Sequence, residues 1–297
     1  MPHNHSHNTE VTSEKNLFIT MSLNFLITIA EVIGGFISGS LSLISDALHN
    51  FSDGIAIIIT YIAMRLSKRP KTSKYTFGLK RAEILAAIIN ASTLIIISFF
   101  LIKEAIDRFA HPSPITGSLM LIVAALGLLA NVIGTLLLKK GSEGNLNIRA
   151  AYFHLLSDTV SSLAVIIGAV FIIFYKIYWI DPLLTILISL YILKETYEIV
   201  KDSVDILMMS SPEGIDLNEI KTMTEKIPGV LNIHHIHLWK LNDKDTHFEA
   251  HIEVENISGR EISEIQRKSE QSLHDKYEIN HTTLQFECEI CQKKELL

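Results

Sequence analysis

Two histidine–aspartate pairs stand in apolar stretches of the chain, where ionisable side chains are rare. His49 and Asp53 are four residues apart, and so are His154 and Asp158. Residues four apart lie on one face of an α-helix, so each pair presents an imidazole and a carboxylate side by side. A charged side chain at the centre of a bilayer costs roughly 2.5–3.5 kcal/mol on insertion scales. The repetition of so costly a pair indicates a function.

Two such faces meeting would offer two nitrogen and two oxygen ligands to one metal ion. This set suits tetrahedral Zn²⁺, whose ligand distances are about 2.0–2.2 Å. Two neutral imidazoles and two carboxylates also cancel a divalent charge. The lack of sulfur disfavours Cu(I), and the imidazoles favour zinc, with Cd²⁺, Co²⁺ or Ni²⁺ as further candidates, over Mg²⁺ or Mn²⁺. The alternative is that each histidine bonds its own aspartate and only fixes helix packing.

Six apolar stretches could hold these pairs in a membrane. About 20 mostly apolar residues cross the hydrocarbon core as a helix. The stretches are residues 17–37, 41–64, 84–106, 119–138, 152–174 and 183–200. Ten Lys and Arg residues follow the second and fourth stretches, against three near the loops on the opposite side. The excess of positive charge predicts that both termini are cytoplasmic.

The remainder of the chain reads as a soluble, acidic domain. Residues 202–297 carry 19 acidic and 10 basic side chains, which argues against a nucleic-acid-binding protein. Helical spacing over 216–227 is followed by strand-like alternation over 231–241 and 246–255, an amphipathic helix over 258–277 and a strand over 281–288. We therefore predict three parts: a disordered tail (1–15) with a His-x-His-x-His pattern, a six-helix membrane domain (16–209) and an αββαβ domain (210–297).

Several motifs, taken together, resemble the cation diffusion facilitator family, and most closely its bacterial zinc efflux branch. They are the doubled His-x-x-x-Asp, SLSLISDALH at 40–49, GLKRAE at 78–83 and HHIHLW at 234–239. The resemblance covers nearly the whole chain. It implies a homodimer with six spans, a cytosolic ferredoxin-like domain and exchange of metal for protons. It also implies that His49, Asp53, His154 and Asp158 form the transport site.

The resemblance further implies cytosolic metal ligands at His234, His251 and Glu287. Strand alternation gives a partly different answer, because it places His235 and His237, rather than His234, on the face of His251 and Glu287. A ligand at the edge of the strand could escape this alternation, so we keep His234 as the candidate.

The chain has only two cysteines, Cys288 and Cys291. In a cytosolic setting this spacing is more typical of metal ligands or a redox pair than of a structural disulfide. His281, Glu287 or residues of the other protomer could complete such a site. Surface thiols without a function are the alternative.

Two loops differ from those of other members of the family that the chain resembles. Some members bind a further metal between spans two and three, and vesicular eukaryotic members often have a long histidine-rich loop between spans four and five. Residues 67–75 contain no acid and no histidine, so we predict no metal site between the second and third spans. Residues 139–149 form a short link without histidine. This favours a bacterial plasma (inner) membrane protein over a vesicular eukaryotic one.

Other polar side chains have open roles. Asp46 could contact the site's ligands, but a helix cap or a packing role is favoured. Glu31 could line a path for protons or ions. The tail's His3, His5 and His7 could deliver metal to the entrance or have no essential role.

The sequence thus predicts a secondary active transporter rather than an enzyme, exporting zinc in exchange for protons by alternating access. Two rivals stay open. An intramembrane zinc metallohydrolase would need an open coordination position and a nearby base, and no His-Glu-x-x-His motif occurs. A membrane-anchored sensor of cytosolic metal would leave the paired intramembrane ligands without a purpose.

Overall fold

The computed structural model describes residues 6–139, 146–242, 245–255, 258–288 and 296. They form two packed units: the residues up to Ile59 with Ile89–Ile199, and Thr60–Ile88 with Val200–Leu297.

Six long helices form the first two thirds of the chain. They are α1 (Ser6–Ser38), α2 (Leu41–Ser67), α3 (Ala82–Ala110), α4 (Gly117–Lys139), α5 (Leu146–Tyr175) and α6 (Ile180–Leu207). Each predicted span lies within one helix. The first five are long and apolar enough to cross a membrane, and α6 is as long but carries Lys194, Glu195 and Glu198 in its second half. The prediction of a helical membrane domain followed by an α+β domain is confirmed, with five of the six predicted spans long and apolar enough to cross a membrane.

Helix α1 begins earlier than the sequence suggested. It starts at Ser6, so residues 6–15, which we expected to form a disordered tail, continue the helix. No glycine or proline interrupts this polar segment, so nothing local ends the helix. His7 therefore belongs to α1, whereas His3 and His5 lie outside the described residues.

Helices α1 and α4 approach each other through glycines. A Cβ atom at Gly134 would lie 2.8 Å from Thr20 Cγ2, and one at Gly127 would clash with Glu31 Oε1. These two glycines are seven residues apart and share one face of α4. The missing side chains let α1 bring Glu31 into the interior.

The carboxylate of Asp181, at the start of α6, caps the beginning of α2. It accepts hydrogen bonds from Leu41 N (2.8 Å), Ser42 N (3.2 Å), Ser40 Oγ (2.6 Å) and Ser42 Oγ (2.6 Å). The first N–H groups of a helix have no partner within the helix, and a negative charge there also complements the helix dipole. Asp181 is completely buried. It therefore fixes the end of the helix that carries His49 and Asp53.

Replacing Asp181 with Ala should destabilise the membrane domain by about 2 kcal/mol, because buried donors would lose their acceptor. The thermal midpoint of the purified protein, followed by the emission of nearby Trp179, measures this loss. Asp107→Ala is the matched control, since Asp107 is exposed and its ion pair is with the exposed His111. Equal midpoints for the two variants would contradict the cap's importance.

The second unit contains the αββαβ domain that the sequence predicted. Helix α7 (Leu217–Glu225) precedes strands β1 (Val230–Lys240) and β2 (Thr246–Val254); α8 (Gly259–Tyr277) then connects to β3 (His281–Glu287). The strand order is β1-β2-β3, with β1 and β2 antiparallel and β2 and β3 parallel. A core of aliphatic side chains and Phe248 fills the space between the sheet and the helices.

Both helices of this αββαβ domain, which is called the tail domain below, have capped N-termini. Asp216 caps α7 by accepting from Asn218 N, and Ser258 with Glu261 forms a reciprocal capping box at α8. The helices and strands lie within two residues of their predicted bounds.

The segment between α2 and α3 packs against the strands of this unit. Lys80 Nζ lies 2.6 Å from Asp245 Oδ2, and this ion pair holds the pKa of the Asp245 carboxyl below its ordinary range. The ring of Phe77 lies edge-on to that of His247, with 5.5 Å between centroids.

Candidate metal centres

Helices α2 and α5 bring the two histidine–aspartate pairs together. Asp53 Oδ2 lies 3.5 Å from His49 Nε2 and 3.3 Å from His154 Nε2, so one carboxylate faces an imidazole from each helix. His154 Nε2 lies 3.6 Å from Asp158 Oδ2. Ligand atoms of His49, Asp53 and His154 all lie within 4.8 Å of one another. The fourth side chain, Asp158, extends this cluster from the His154 side.

The spacing of these atoms suits a small tetrahedral ion. Metal–ligand bonds of about 2.1 Å place two ligands of a tetrahedron about 3.4 Å apart. The three nitrogen–oxygen distances are 3.3, 3.5 and 3.6 Å. Asp53 Oδ2 and Asp158 Oδ2, the carboxylate oxygens that face these imidazoles, are buried and make no hydrogen bond. Buried oxygen atoms that make no hydrogen bond are available to bind a cation.

Two further polar contacts surround the cluster. Asp46, one turn before Asn50 on α2, accepts a 2.7 Å hydrogen bond from Ser161 Oγ on α5. Asn50 Nδ2 donates to Glu31 Oε2 at 3.3 Å. Of the two roles that we favoured for Asp46, the cap is wrong, because Asp181 caps α2. The packing role agrees with the structure, since the hydrogen bond from Ser161 joins α2 to α5.

A second cluster of metal-binding side chains lies in the tail domain. Ligand atoms of His234, His235 and His251 lie within 4.8 Å of one another. Glu287 reaches the same point, with Oε1 at 2.9 Å from His251 Nδ1 and Oε2 at 3.6 Å from His234 Nε2. His234 is completely buried, and neither of its ring nitrogens has a hydrogen-bond partner. Burial lowers the pKa of His234, which favours the neutral imidazole that a metal requires.

A β-bulge explains why strand alternation misplaced these histidines. His234 pairs directly with His251, but the register shifts between His234 and His237, and His235 has a positive φ of 48°. An extra residue at the bulge changes the face on which later side chains lie. His234 and His235 consequently both reach His251, whereas His237 is exposed and pairs with Glu249. Alternation is therefore correct for His235 and wrong for His237, and His234, which the resemblance implied and which we kept as a candidate, lies against His251.

The other tail candidates do not join this cluster. His281 begins β3 and Glu287 ends it, about 20 Å apart for seven residues of strand, so the two cannot share an ion. His281 instead lies against His247, with 4.4 Å between ring centroids. Cys288 is exposed, and its Sγ lies 3.8 Å from Glu255 O. Cys291 lies outside the described residues.

Comparison with known proteins identifies the family. The model for the cation efflux transmembrane domain matches residues 17–208, and the model for the cytoplasmic domain of cation efflux proteins matches residues 212–289. The chain belongs to the cation efflux family. The resemblance inferred from the sequence is thereby confirmed.

Bacterial members of the cation efflux family match nearly the whole chain. The zinc transporter ZitB of Shigella flexneri is 38% identical, covering 99% of this chain and 95% of its own. A Bacillus subtilis protein named cadmium, cobalt and zinc/H(+)-K(+) antiporter is also 38% identical, with 99% and 97% covered. The metal cation efflux system protein CzcD of Cupriavidus metallidurans is 36% identical, with 97% and 91% covered. These names agree with a transporter rather than an enzyme.

Sequence reasoning did not identify Asp181 as a residue that supports the site of this cation efflux protein. Asp181 precedes a proline at the start of α6, a pattern that reads as a cap for its own helix. Its partners are about 140 residues earlier in the chain. Only the packing of α6 beside the start of α2 reveals its role.

The tail domain should lose stability in acid through His247. Burial, followed by the nearby charge of His281, lowers the pKa of His247 below the ordinary 6.5. The folded domain therefore binds fewer protons than the unfolded chain, and its stability should fall as the pH drops through about 6.5. Thermal midpoints between pH 8 and 5, followed by Trp239 emission in a Trp179→Phe background, measure the slope.

His247→Gln should flatten this pH dependence. His274→Gln is the control, because His274 is exposed on α8. If the thermal midpoint of His247→Gln depends on pH as steeply as that of the wild type, His247 is not the source of the acid sensitivity.

Proposed function

We propose that this protein exports a divalent cation from the cytosol in exchange for protons, and that zinc is its main cargo. The transport site would be formed by His49, Asp53, His154 and Asp158. The observation that carries the proposal is the 3.3 Å distance from Asp53 Oδ2 on α2 to His154 Nε2 on α5. With the distances inside each pair, 3.5 and 3.6 Å, it matches the edge of a tetrahedron around Zn²⁺. The names of the relatives favour zinc, cadmium and cobalt as cargo, and the ligand set extends this to nickel.

The charge of the site fits this cargo. Two neutral imidazoles and two carboxylates carry a net charge of −2, which a divalent cation cancels. Without the metal, the two carboxylates would cross the low-dielectric interior uncompensated, which is costly. Protons can replace the metal there, since both imidazole and carboxylate bind them in competition with metal. Alternating access to the two sides of the membrane would then exchange metal for protons.

The driving force has the required direction. A membrane potential that is negative inside favours inward movement of positive charge by about 2.3 kcal/mol per charge per 100 mV. Protons entering the cell can therefore drive metal outward.

The second cluster would hold a structural or regulatory ion in the cytosolic domain, through His234, His251 and Glu287. His235 is an additional candidate. The neutral state of buried His234 and its lack of a hydrogen-bond partner support this assignment. We further propose a homodimer in a bacterial inner membrane with both termini in the cytoplasm; the matching cytoplasmic model and the positively charged loops support this arrangement.

Flux in proteoliposomes tests the proposal. Vesicles containing the purified protein would hold a zinc-sensitive dye and a pH-sensitive dye. Zinc entry that requires the protein and is accompanied by opposite proton movement would support antiport. Zinc binding without any flux would support a sensor instead and contradict transport.

A further inference from the structure

Glu31 on α1 is a buried carboxyl group that the four-ligand site does not use. Its side chain has no exposed surface. Oε2 accepts one hydrogen bond from Asn50, the residue after His49, and Oε1 has no hydrogen-bond partner. Oε1 faces Gly127 of α4, where any side chain would clash with it. An ionisable carboxyl group is therefore buried beside α4 with one of its two oxygens lacking a hydrogen-bond partner.

In the part of the chain that the structure describes, the charged groups that act on Glu31 are carboxylates. Asp46 on α2 and Asp158 on α5 are the ionisable side chains that act on it. Helix α4 contributes none, since its only charged residue is Lys139 at its end. Among the residues that the structure describes, no Lys, Arg or His forms an ion pair with Glu31. A permanent carboxylate in such a place would be neither solvated nor neutralised.

A proton fits Glu31 better than a larger coupling ion. Potassium needs several oxygen ligands around an open cavity, and Oε1 lies too close to the backbone of α4 for even a methyl group. A proton needs only the oxygen atom itself. Protonation of Oε1 would neutralise the group and leave the hydrogen bond from Asn50 to Oε2 in place.

We propose that Glu31 is a proton-binding site of the exchange cycle, distinct from the metal ligands and coupled to them by charge. The proposal rests on the antiport function proposed above. When a dication occupies the site, its positive charge favours the Glu31 carboxylate. When the dication leaves, the carboxylates of Asp53 and Asp158 remain and favour the neutral acid. Metal and proton thus oppose each other's binding, and the coupling is reciprocal.

The proton balance of this step is simple. After metal release to the outside, a proton from external water forms an O–H bond on Glu31 and travels with the empty site to the inner side. Cytosolic metal then binds the site, the O–H bond breaks, and the proton passes to cytosolic water. One proton enters at Glu31 for each metal ion that leaves. The other protons of the cycle would bind the ligands themselves.

Glu31→Gln tests the proposal, because the amide keeps the size of the side chain and cannot release a proton. Two fluxes are compared in proteoliposomes: exchange of radioactive zinc for unlabelled zinc at equal pH on both sides, and zinc accumulation driven by a pH gradient. We expect self-exchange within about twofold of the wild type, because this flux needs no proton. We expect gradient-driven accumulation to fall about tenfold or more, and the ratio of protons to metal to fall by about one.

Glu195→Gln is the matched control, since it makes the same change at an exposed position on α6, and should leave both fluxes unchanged. Wild-type accumulation and proton ratio in Glu31→Gln would overturn the proposal, and so would an equal loss of both fluxes, which would indicate a structural role. If zinc flux requires K⁺ in the wild type but not in Glu31→Gln, Glu31 binds potassium, and the proposal that it binds a proton is overturned. Absence of any zinc flux in the wild type would contradict the transport function itself, which is a separate outcome.

A spectroscopic measurement keeps the proposal testable if Glu31→Gln does not fold. In wild-type protein labelled with ¹³C-glutamate, infrared difference spectra between the metal-free and zinc-bound forms should show loss of a carboxylic-acid carbonyl band that carries the isotope shift. Absence of such a glutamic-acid band in the metal-free form at neutral pH would overturn the proposal.

Discussion

Replacing Asp53 with Ala should abolish metal transport while leaving the protein folded. Asp53 Oδ2 is the one carboxylate oxygen within 3.5 Å of imidazoles from both helices. Its loss removes a ligand and leaves the metal with one uncompensated positive charge. Changes of residues that only support metal ligands cost 10–100-fold, so loss of a ligand should lower zinc flux by more than about 100-fold. Zinc uptake into proteoliposomes and calorimetric zinc binding measure the effect.

The adjacent residue provides a matched control for Asp53→Ala. A Cβ atom at Gly54 would meet no atom within 4 Å, so Gly54→Ala changes the same helix without touching the site. It should transport zinc like the wild type. Gel filtration shows whether each variant is folded. A folded Asp53→Ala protein with wild-type flux would show that the cluster only joins the helices.

Zinc should strongly stabilise the two strands that carry the tail cluster, and His234→Ala should remove this effect. Metal that binds the folded domain at 100 times its dissociation constant stabilises it by about 2.7 kcal/mol. Amide exchange in β1 and β2 should then slow by about 100-fold through global opening. Hydrogen–deuterium exchange of the full chain measures these strands separately from the membrane helices. Zinc bound between α2 and α5 therefore does not affect the interpretation.

His237→Ala is the control for the tail cluster. His237 lies on the same strand but is exposed on the other side of the bulge. It should keep the zinc-dependent protection. Protection that persists unchanged in His234→Ala would place the ion elsewhere.

The membrane cluster could be predicted from the sequence because its geometry is local. A spacing of four residues on a helix puts His49 and Asp53 on one face whatever surrounds them, and the same holds for His154 and Asp158. Because the same pair occurs twice, each pair indicated the other as its partner in one site. The meeting of α2 and α5 is the only long-range fact required.

The tail cluster depends on a backbone irregularity that alternation does not encode. Strand periodicity assumes an unbroken ladder, and a residue with positive φ at His235 breaks it. The three strands and two helices were nevertheless predictable, because Asp216, Ser258 and Pro228-Gly229 mark helix ends by local chemistry.

Long-range polar contacts escaped the sequence for a different reason. Asp181 bonds residues 140 positions away, and Glu31 depends on the glycines of α4 for space. A single polar residue in an apolar stretch indicates a contact but not its partner. The structure supplies the partner in both cases.

Diffraction at the zinc edge from crystals of the zinc-loaded protein tests the central claim most directly. We predict an anomalous peak between α2 and α5, coordinated by His49, Asp53, His154 and Asp158 with four bonds of about 2.0–2.2 Å. A zinc-loaded protein with no peak between these helices, or with these four side chains turned away from the metal, would contradict it.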